Sequence, residues 1–475
     1  EETMKTKQDV INWLEDNREP FIEMASAIWD KPEIAWHEFF ASKLQADFLE
    51  QQGFRVQRDI AGMNTAFTAE WGNGKPILGF AGEYDALPGL SQKCQPVKEA
   101  LLKGGMGQGC GHNLLGTAHV AAAVALKQWM QANGIQGTVR YYGCPAEEAG
   151  AAKTYMAREG LYDDLDAAFN FHPMYANAAM KGSMVGVNSM KFRFHGKTAH
   201  AGAAPHLGRS ALDGVELMNV GVNYLREHVT TDVRMHYTIT QGGGAPNVVP
   251  AEAEVYYMLR AHQPENLRDV TGRVRKIAEG AALMTGTQVE EIFVAAMSNV
   301  LSNHTLADLQ YDNMQVIGPI QWTPEELAFA QKVNEGYPPG TAEANAAAFG
   351  MPASLLTQPI LSENYPAYEE GKVLTGSTDV GDMSWRVPLS MLMTACWTTA
   401  SVGHSWGIVA TSGMSIGHKG MLHAAKIMAL TAMDLFSDPR HIQQARTEFE
   451  RELAAHPYVN PIPAHIHPPR FQPED

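Results

Sequence analysis

The spacing of apolar positions changes several times along the chain, and those changes divide it. Helical spacing predicts helices over Lys5–Asn17, Pro20–Trp29 and Glu38–Gln52, the last ended by Gly53. Alternation then predicts strands over Arg55–Ile60 and Thr65–Trp71. The nearly unbroken apolar run Pro76–Gly82 reads as a strand buried on both faces. A glycine-rich loop, Gly104–Gly111, leads into an alanine-rich helix over Leu114–Met130. Thr138–Cys144 and Ala167–His172 read as further buried strands with a helix between them. Strands alternating with helices predict a doubly wound α/β sheet.

From about Val187 the pattern is different. Met190–His195, Met235–Thr240 and Ala253–Leu259 alternate as in a half-exposed sheet, and helices over Arg209–His228 and Pro264–Met284 separate them. This predicts a compact α+β insertion ending near Met297. Asn299–Lys372, rich in Pro, Gly, Asn and Ala, reads as helices mixed with long loops. Apolar runs return from Gly376, Gly420–Phe436 reads as the closing helix, and the proline-rich stretch from Pro457 as an extended tail. The division expected is one domain from residues 1–186 and 300–475, built on a mixed sheet, with residues 187–299 inserted.

Composition then removes whole classes of function. Hydrophobic residues make up 45% of the 475 positions and charged residues 19%, enough for a large core and too apolar for a disordered chain. Lys and Arg number 36 against 52 Asp and Glu, a formal charge of -16, so neither nucleic acid nor an anionic membrane is an expected partner. The best apolar run, Ala118–Leu126, contains His119 and stops at Lys127, well short of the ~20 residues that span a bilayer. Four cysteines do not make a disulfide scaffold. A cytoplasmic location is expected, with the periplasm as the alternative because the chain starts at Glu1 rather than Met.

Four short segments concentrate residues that bind metals: Gly82-Glu83-Tyr84-Asp85, Cys110-Gly111-His112, Glu147-Glu148 and His172-Pro173. Three of them follow a predicted strand directly, and open α/β sheets bind ligands beyond the carboxyl ends of their strands. Cys110 and His112, two apart at the end of a glycine-rich loop, can face one ion; the alternative is a buried cysteine beside a histidine that opens a helix. Adjacent buried carboxylates repel and need a cation or a proton, so one of Glu147 and Glu148 can bind metal while the other serves as base. The alternative is that both favour the start of the following helix. His172 is otherwise a packed strand end, and His200 and His206 otherwise solvated loop residues. Arg260 is otherwise a surface charge, though guanidinium suits a carboxylate.

Competing motifs are weaker. Gly403-His404-Ser405-Trp406-Gly407 matches the G-x-S-x-G elbow of serine hydrolases, which requires a helix immediately afterwards; Ile408–Ser415 reads as strand and turn. Gly196-Lys197-Thr198 fails as a P-loop because Lys191 stands where glycine is required. Gly107-Gln108-Gly109-Cys110-Gly111 is not a dinucleotide fingerprint and follows no strand.

Taken together the segments resemble the dinuclear metallopeptidase family of glutamate carboxypeptidases and aminoacylases, in its aminoacylase-like branch of hippurate and indole-acetyl-amino-acid hydrolases. The resemblance rests on Asp85-Ala86-Leu87-Pro88, Cys110-Gly111-His112, Glu147-Glu148 and His172-Pro173 in that order. It continues through Gly196-Lys197-Thr198-Ala199-His200-Ala201 and Asn247-Val248-Val249-Pro250. A narrower likeness to p-aminobenzoyl-glutamate hydrolases lies in residues 82–87, 109–116, 205–213, 377–385 and 418–421. The resemblance implies a metal-dependent amidohydrolase of N-acyl amino acids, p-aminobenzoyl-glutamate being the substrate expected, with another acyl-amino-acid or aryl-amide substrate as the alternative. A serine hydrolase using Ser405 and a non-catalytic partner subunit are the remaining alternatives.

The resemblance also implies roles. Two divalent ions, Mn or Zn, would be held by Cys110, His112, Glu148, His172 and His404, with Cys110 bridging and His418 the second choice for the last position. Glu147 would be the general base and Asp85 would orient a metal ligand. His200, from the dimer mate's lid, would hold the developing oxyanion, and Asn247 and Arg260 would grip the substrate carboxylate. The inserted domain would be a lid and dimerisation domain, in a homodimer or a heterodimer with a related subunit. Glu83 departs from both branches and is left outside the ligand set.

Overall fold

The computed structural model describes residues 4–473. The first helix, Lys7–Asp16, is opened by Thr6 in a capping box with Asp9, and the helices Glu19–Asp30 and Phe39–Gln51 follow. Strands β1 (Arg55–Ile60) and β2 (Met63–Asn73) form an antiparallel hairpin. Strands β3 (Ile77–Glu83), β4 (Gly137–Cys144), β5 (Ala167–Met174) and β6 (Asn177–Met180) come next. The two-residue β7 (Ser183–Met184) precedes β8 (Gly186–His195), β9 (Arg234–Gln241), β10 (Glu252–Ala261) and β11 (Gln288–Met297). Two more short strands, β12 (Asn364–Tyr365) and β13 (Val373–Leu374), precede β14 (Leu389–Ala395).

Eight of these form one mixed sheet in the order β1-β2-β4-β3-β5-β14-β6-β12. Its central pairs, β4 with β3, β3 with β5 and β5 with β14, are parallel. Both faces are covered. On one, the helices His112–Asn133 and Ser415–Ser437 pack against each other over Leu78, Phe80, Phe169 and Phe171. On the other, the helix Ala152–Arg158 and the short helix Val380–Ser384 cover Ala81, Tyr142, Ala168 and Met391. Continuous burial on both faces is why these strands read as unbroken apolar runs.

The second sheet is antiparallel, in the order β11-β8-β10-β9, and lies under the helices Ala211–Leu225 and Pro264–Thr285. The fourth strand, β11, adds to the three expected, and its Val289, Ile292, Phe293 and Val294 favour that conformation. The chain leaves this sheet at Met297, and Asp382 fastens the exit: its carboxylate accepts from the Ser298 backbone N–H at 2.9 Å and from the Ser298 hydroxyl at 2.7 Å. Between residues 299 and 372 the structure has the helices His304–Ile317, Pro324–Glu335 and Thr341–Ala348, joined by loops. Gly420–Phe436 is not the last helix. Asp438 caps another, Pro439–Ala455, which buries Ala445 and Phe449 and packs Ile442 against the core. Beyond it the tail is extended, with Ile462 buried.

Candidate metal centre

The centre is assembled where β3, β4 and β5 end and where the helix His112–Asn133 begins. Gly111, at φ 77°, caps that helix and lets Cys110 and His112 project on either side of one turn. Gly116 brings the helix close over β3: a Cβ there would stand 2.3 Å from the Glu83 carbonyl oxygen. After β4, Ala146 at φ 55° and Ala151 at φ 58° bracket a tight turn that carries Glu147 and Glu148. The fully buried Glu38 secures this turn by accepting from the Ala146 N–H at 2.7 Å.

Cys110 Sγ lies 3.4 Å from His172 Nε2, and His404 Nε2 lies 3.2 Å from Glu148 Oε2. His112 Nε2 is 3.2 Å from Glu83 Oε2, 3.8 Å from Glu148 Oε1 and 3.9 Å from Glu147 Oε2. Three groups each place their donor atoms within 4.8 Å of one another: Cys110 with His112 and His172, Cys110 with Glu148 and His404, and Glu83 with His112 and Glu147. Cys110 belongs to two of the three.

Asp85 orients the centre from behind. Its Oδ1 accepts from His112 Nδ1 at 2.8 Å and its Oδ2 from the Glu148 backbone N–H at 2.9 Å. The His112 proton is thereby on Nδ1 and the Nε2 lone pair faces inward. His172 is set the same way, donating from Nδ1 to the Pro173 carbonyl at 2.7 Å. The residues pass a direct test for a cation. His112 Nε2, Glu83 Oε2 and Glu148 Oε1 are all buried and, among the described residues, have no hydrogen-bond partner. Facing acceptors of this kind are unstable unless a cation or a proton lies between them.

The electrostatics agree. Burial, then the charges of Glu83 and Glu148, hold the Glu147 carboxyl well above its ordinary value. Burial opposes ionisation of Glu148, but the bond from His404 and the charge of His112 bring it down to about 2. Burial and the Glu148 charge push the Cys110 thiol up, so a bound cation would have to draw off its proton. Burial also works against a charge on His112, yet Cys110, Glu83 and Asp85 raise it well above 6.5; without an ion, a proton takes the cation's place.

The other expected residues lie apart. His200 is exposed in the loop after β8, and its Nδ1 accepts from the Gly202 and Ala203 N–H groups. The Asn247 carbonyl accepts from the Ala201 N–H, so Asn247 and His200 share one loop cluster at the far end of the small sheet. Arg260 lies at the near end and reaches the Thr375 carbonyl at 3.4 Å and Ser377 Oγ at 3.3 Å. His418 stands away from the centre, 3.5 Å from Ser26 Oγ.

One element is corrected here. A helix, Trp406–Ser412, does follow Ser405, where Ile408, Val409 and Thr411 favour a strand by composition. Geometry, not a missing helix, therefore weighs against a nucleophilic serine. Ser405 Oγ donates to the Val402 carbonyl and pairs with the Tyr337 hydroxyl, each at 2.5 Å; among the described residues its partners include no histidine.

Sequence reasoning missed Lys153 and Asp379 and set Glu83 aside. Lys153 Nζ is 2.7 Å from Glu83 Oε1 and 2.6 Å from Asp379 Oδ1, and all three are buried. The one available signal was a lone lysine within Ala151-Ala152-Lys153-Thr154-Tyr155-Met156.

Comparison with known proteins identifies relatives over nearly the whole chain. Residues 183–284 match the peptidase dimerisation domain. The chain is 42% identical to a subunit of the p-aminobenzoyl-glutamate hydrolase of Escherichia coli, over 97% of this chain and 99% of that one. It is 28% identical to the Xaa-Arg dipeptidase of Mus musculus, over 92% and 90% of the two chains. In fold it is similar to an aminobenzoyl-glutamate utilization protein from Klebsiella pneumoniae, with a TM-score of 0.59 at 17% identity over 89% of this chain and 97% of that one. It is also similar in fold to a dinuclear metal-binding peptidase of the M20 family from Bacillus subtilis, with a TM-score of 0.56 at 18% identity over 88% and 98%. With its metal-binding residue types gathered at the strand ends and near-complete alignment to a curated relative, the chain belongs to the M20 family of amide-cleaving hydrolases.

Proposed function

We propose that the chain hydrolyses the amide bond of N-acyl amino acids, p-aminobenzoyl-glutamate first among them, at two divalent ions held by Cys110, His112, Glu148, His172 and His404. The observation that carries this reading is the set of buried, unpartnered atoms His112 Nε2, Glu83 Oε2 and Glu148 Oε1, with Glu147 beside them. The substrate comes from the 42% identical relative, whose name specifies p-aminobenzoyl-glutamate.

Divalent ions bound here would supply Lewis acidity, acidifying a water and polarising the amide carbonyl. Glu147 would take the proton of the attacking water and return it to the leaving nitrogen, its Oε2 standing 3.9 Å from His112 Nε2 beside the proposed ions. His404, more than half exposed at 54%, stands on the open side of the centre and can adjust as substrate enters. Thiolate and imidazole favour Zn, and the carboxylates favour Mn.

The same reading assigns residues 187–299 as a lid that also dimerises. The helix Ala211–Leu225 exposes Leu217, Val220 and Tyr224, and the edge strand β9 exposes Tyr237 and Ile239, an apolar face suited to a second copy or a related subunit. β8 and β10 pair from Val187–Arg260 to His195–Glu252. That register sets Arg260 about 27 Å from Glu252, at ~3.4 Å per residue, and the His200 and Asn247 loops lie beyond the Glu252 end. The distance favours delivery of His200 and Asn247 to the partner's centre, and of Arg260 to the substrate within its own chain.

The test is metal removal. Chelator-stripped protein should release no p-aminobenzoate from p-aminobenzoyl-glutamate, and Mn2+ or Zn2+ should restore release. Hippurate and indole-3-acetyl-aspartate, run in parallel, rank the acyl groups. Full turnover by metal-free protein, abolished by Ser405→Ala, would overturn the reading.

A further inference from the structure

Lys153 has no solvent exposure, and the structure spends it on two carboxylates. Its Nζ engages Glu83 Oε1 and Asp379 Oδ1, and its backbone N–H donates to Asp379 Oδ2 at 2.9 Å. Asp379 thus grips the lysine at both ends and leaves it no freedom to turn away. The result at Glu83 is asymmetric. Oε1 is occupied, while Oε2 is buried, unpartnered and 3.2 Å from His112 Nε2. His112 donates from Nδ1 to Asp85, so in the neutral ring the lone pairs of Nε2 and Oε2 point at each other. Two donors on one tetrahedral ion at ~2.0–2.1 Å stand about 3.3 Å apart. The observed 3.2 Å matches that spacing, so an ion can replace the proton between the two atoms without either side chain moving.

We infer that Glu83 Oε2 is itself a donor to the ion held by His112, and that the Lys153–Asp379 pair positions it by occupying Oε1. Lys153 is a positioning residue: it acts through Glu83 and confines that carboxylate to one-oxygen donation. The inference rests on the metal-dependent reading above and adds to it a ligand and the device that aims it.

Charge and position make opposite predictions here, which gives the test its sign. An ammonium group near a cation site repels the cation, so on charge alone its removal should tighten ion binding. If Lys153 positions Glu83, its removal should weaken binding. The full-length protein, stripped of metal, is titrated with Co2+ by calorimetry and by visible absorption. Variants are Glu83→Gln, Lys153→Met and Lys153→Met combined with Asp379→Asn, the last avoiding an unpaired buried Asp379 if the single change fails to fold. Two Co2+ should bind per wild-type chain. Glu83→Gln and the Lys153 variants should each weaken one of the two by tenfold or more, and Glu83→Gln should alter its absorption band. Unchanged or tighter Co2+ binding in the Lys153 variants, or an unaffected Glu83→Gln, overturns the inference while leaving the metal-dependent reading intact. A wild-type chain that binds no Co2+ overturns both.

Discussion

Asp85→Asn removes one charge and one acceptor from the back of the centre while keeping the shape of the side chain. Asp85 is 1% exposed and both of its oxygens accept hydrogen bonds, from His112 Nδ1 at 2.8 Å and from the Glu148 N–H at 2.9 Å. Asparagine offers one oxygen and one NH2. If its oxygen faces Glu148, the NH2 meets His112 Nδ1, which must become an acceptor. The ring proton then moves to Nε2 and the inward lone pair is lost. If its oxygen faces His112, the NH2 meets the Glu148 N–H, donor against donor, and the turn that carries the acidic pair must shift. Either arrangement forfeits one bond to a carboxylate, worth ~1.5–3 kcal/mol. Outer partners of metal-binding histidines typically cost 10–100-fold in affinity, roughly 1.4–2.7 kcal/mol, which is the same range. We expect Zn2+ affinity to fall ~10–100-fold, with kcat falling in parallel at limiting metal. Competition against a chromophoric chelator measures the affinity, and the melting temperature checks that the fold is retained. Affinity within about twofold of wild type, with normal kcat, would refute the tautomer argument.

Glu147→Gln should keep its metal and lose kcat by ~10²–10⁴, whereas Glu148→Gln should lose metal as well, measured by metal content and steady-state rates; near-normal kcat in Glu147→Gln removes it as the base. Inactive His200→Ala and Glu147→Gln chains, allowed to exchange subunits, should recover part of the activity; verified hybrid dimers without activity would point to a site completed within one chain. Stability should also depend on pH through two buried histidines. Burial lowers His119 to about 4 and His423 to about 3, so both stay neutral in the folded chain. Their unfolded counterparts take up protons as pH falls below about 6.5, so stability is greatest above that value and is lost down to about 4 for His119 and about 3 for His423, by at most about 3 and 5 kcal/mol. Urea unfolding at pH 7.5, 6 and 5 measures the slope, and a His119→Gln chain with an identical slope would count against His119 as a source.

The candidate residues were legible as a group because they close short, unusual segments: a strand end, a helix start, a doubled acid. Cys110, His112, Glu148, His172 and His404 come together in the structure for that reason. Lys153 was not legible. A lysine among alanines normally marks a solvent-facing position, and what buries this one is Asp379, 226 residues away. Glu83 was judged by the residue type expected at its position and not by its partner, which is that same lysine. The helix Trp406–Ser412 was obscured because Ile408, Val409 and Thr411 favour strands, and complete burial of the segment overrides that preference. The helix Pro439–Ala455 was passed over although Ile442, Ala445, Phe449 and Leu453 recur at helical spacing, because polar and charged residues fill the rest of it.

Residues 375–382 meet three parts of the molecule within eight positions. Thr375 and Ser377 hold Arg260 of the small sheet, Asp379 holds Lys153 behind Glu83, and Asp382 holds Ser298 where the chain leaves that sheet. The contacts to Arg260 are long, at 3.3–3.4 Å, so an incoming carboxylate can displace them. Any substrate that shifts the segment in doing so perturbs Asp379 and, through Lys153, the oxygen aimed at His112. Thermodynamic reciprocity then applies: whatever factor the ion contributes to substrate affinity, the substrate contributes equally to ion affinity.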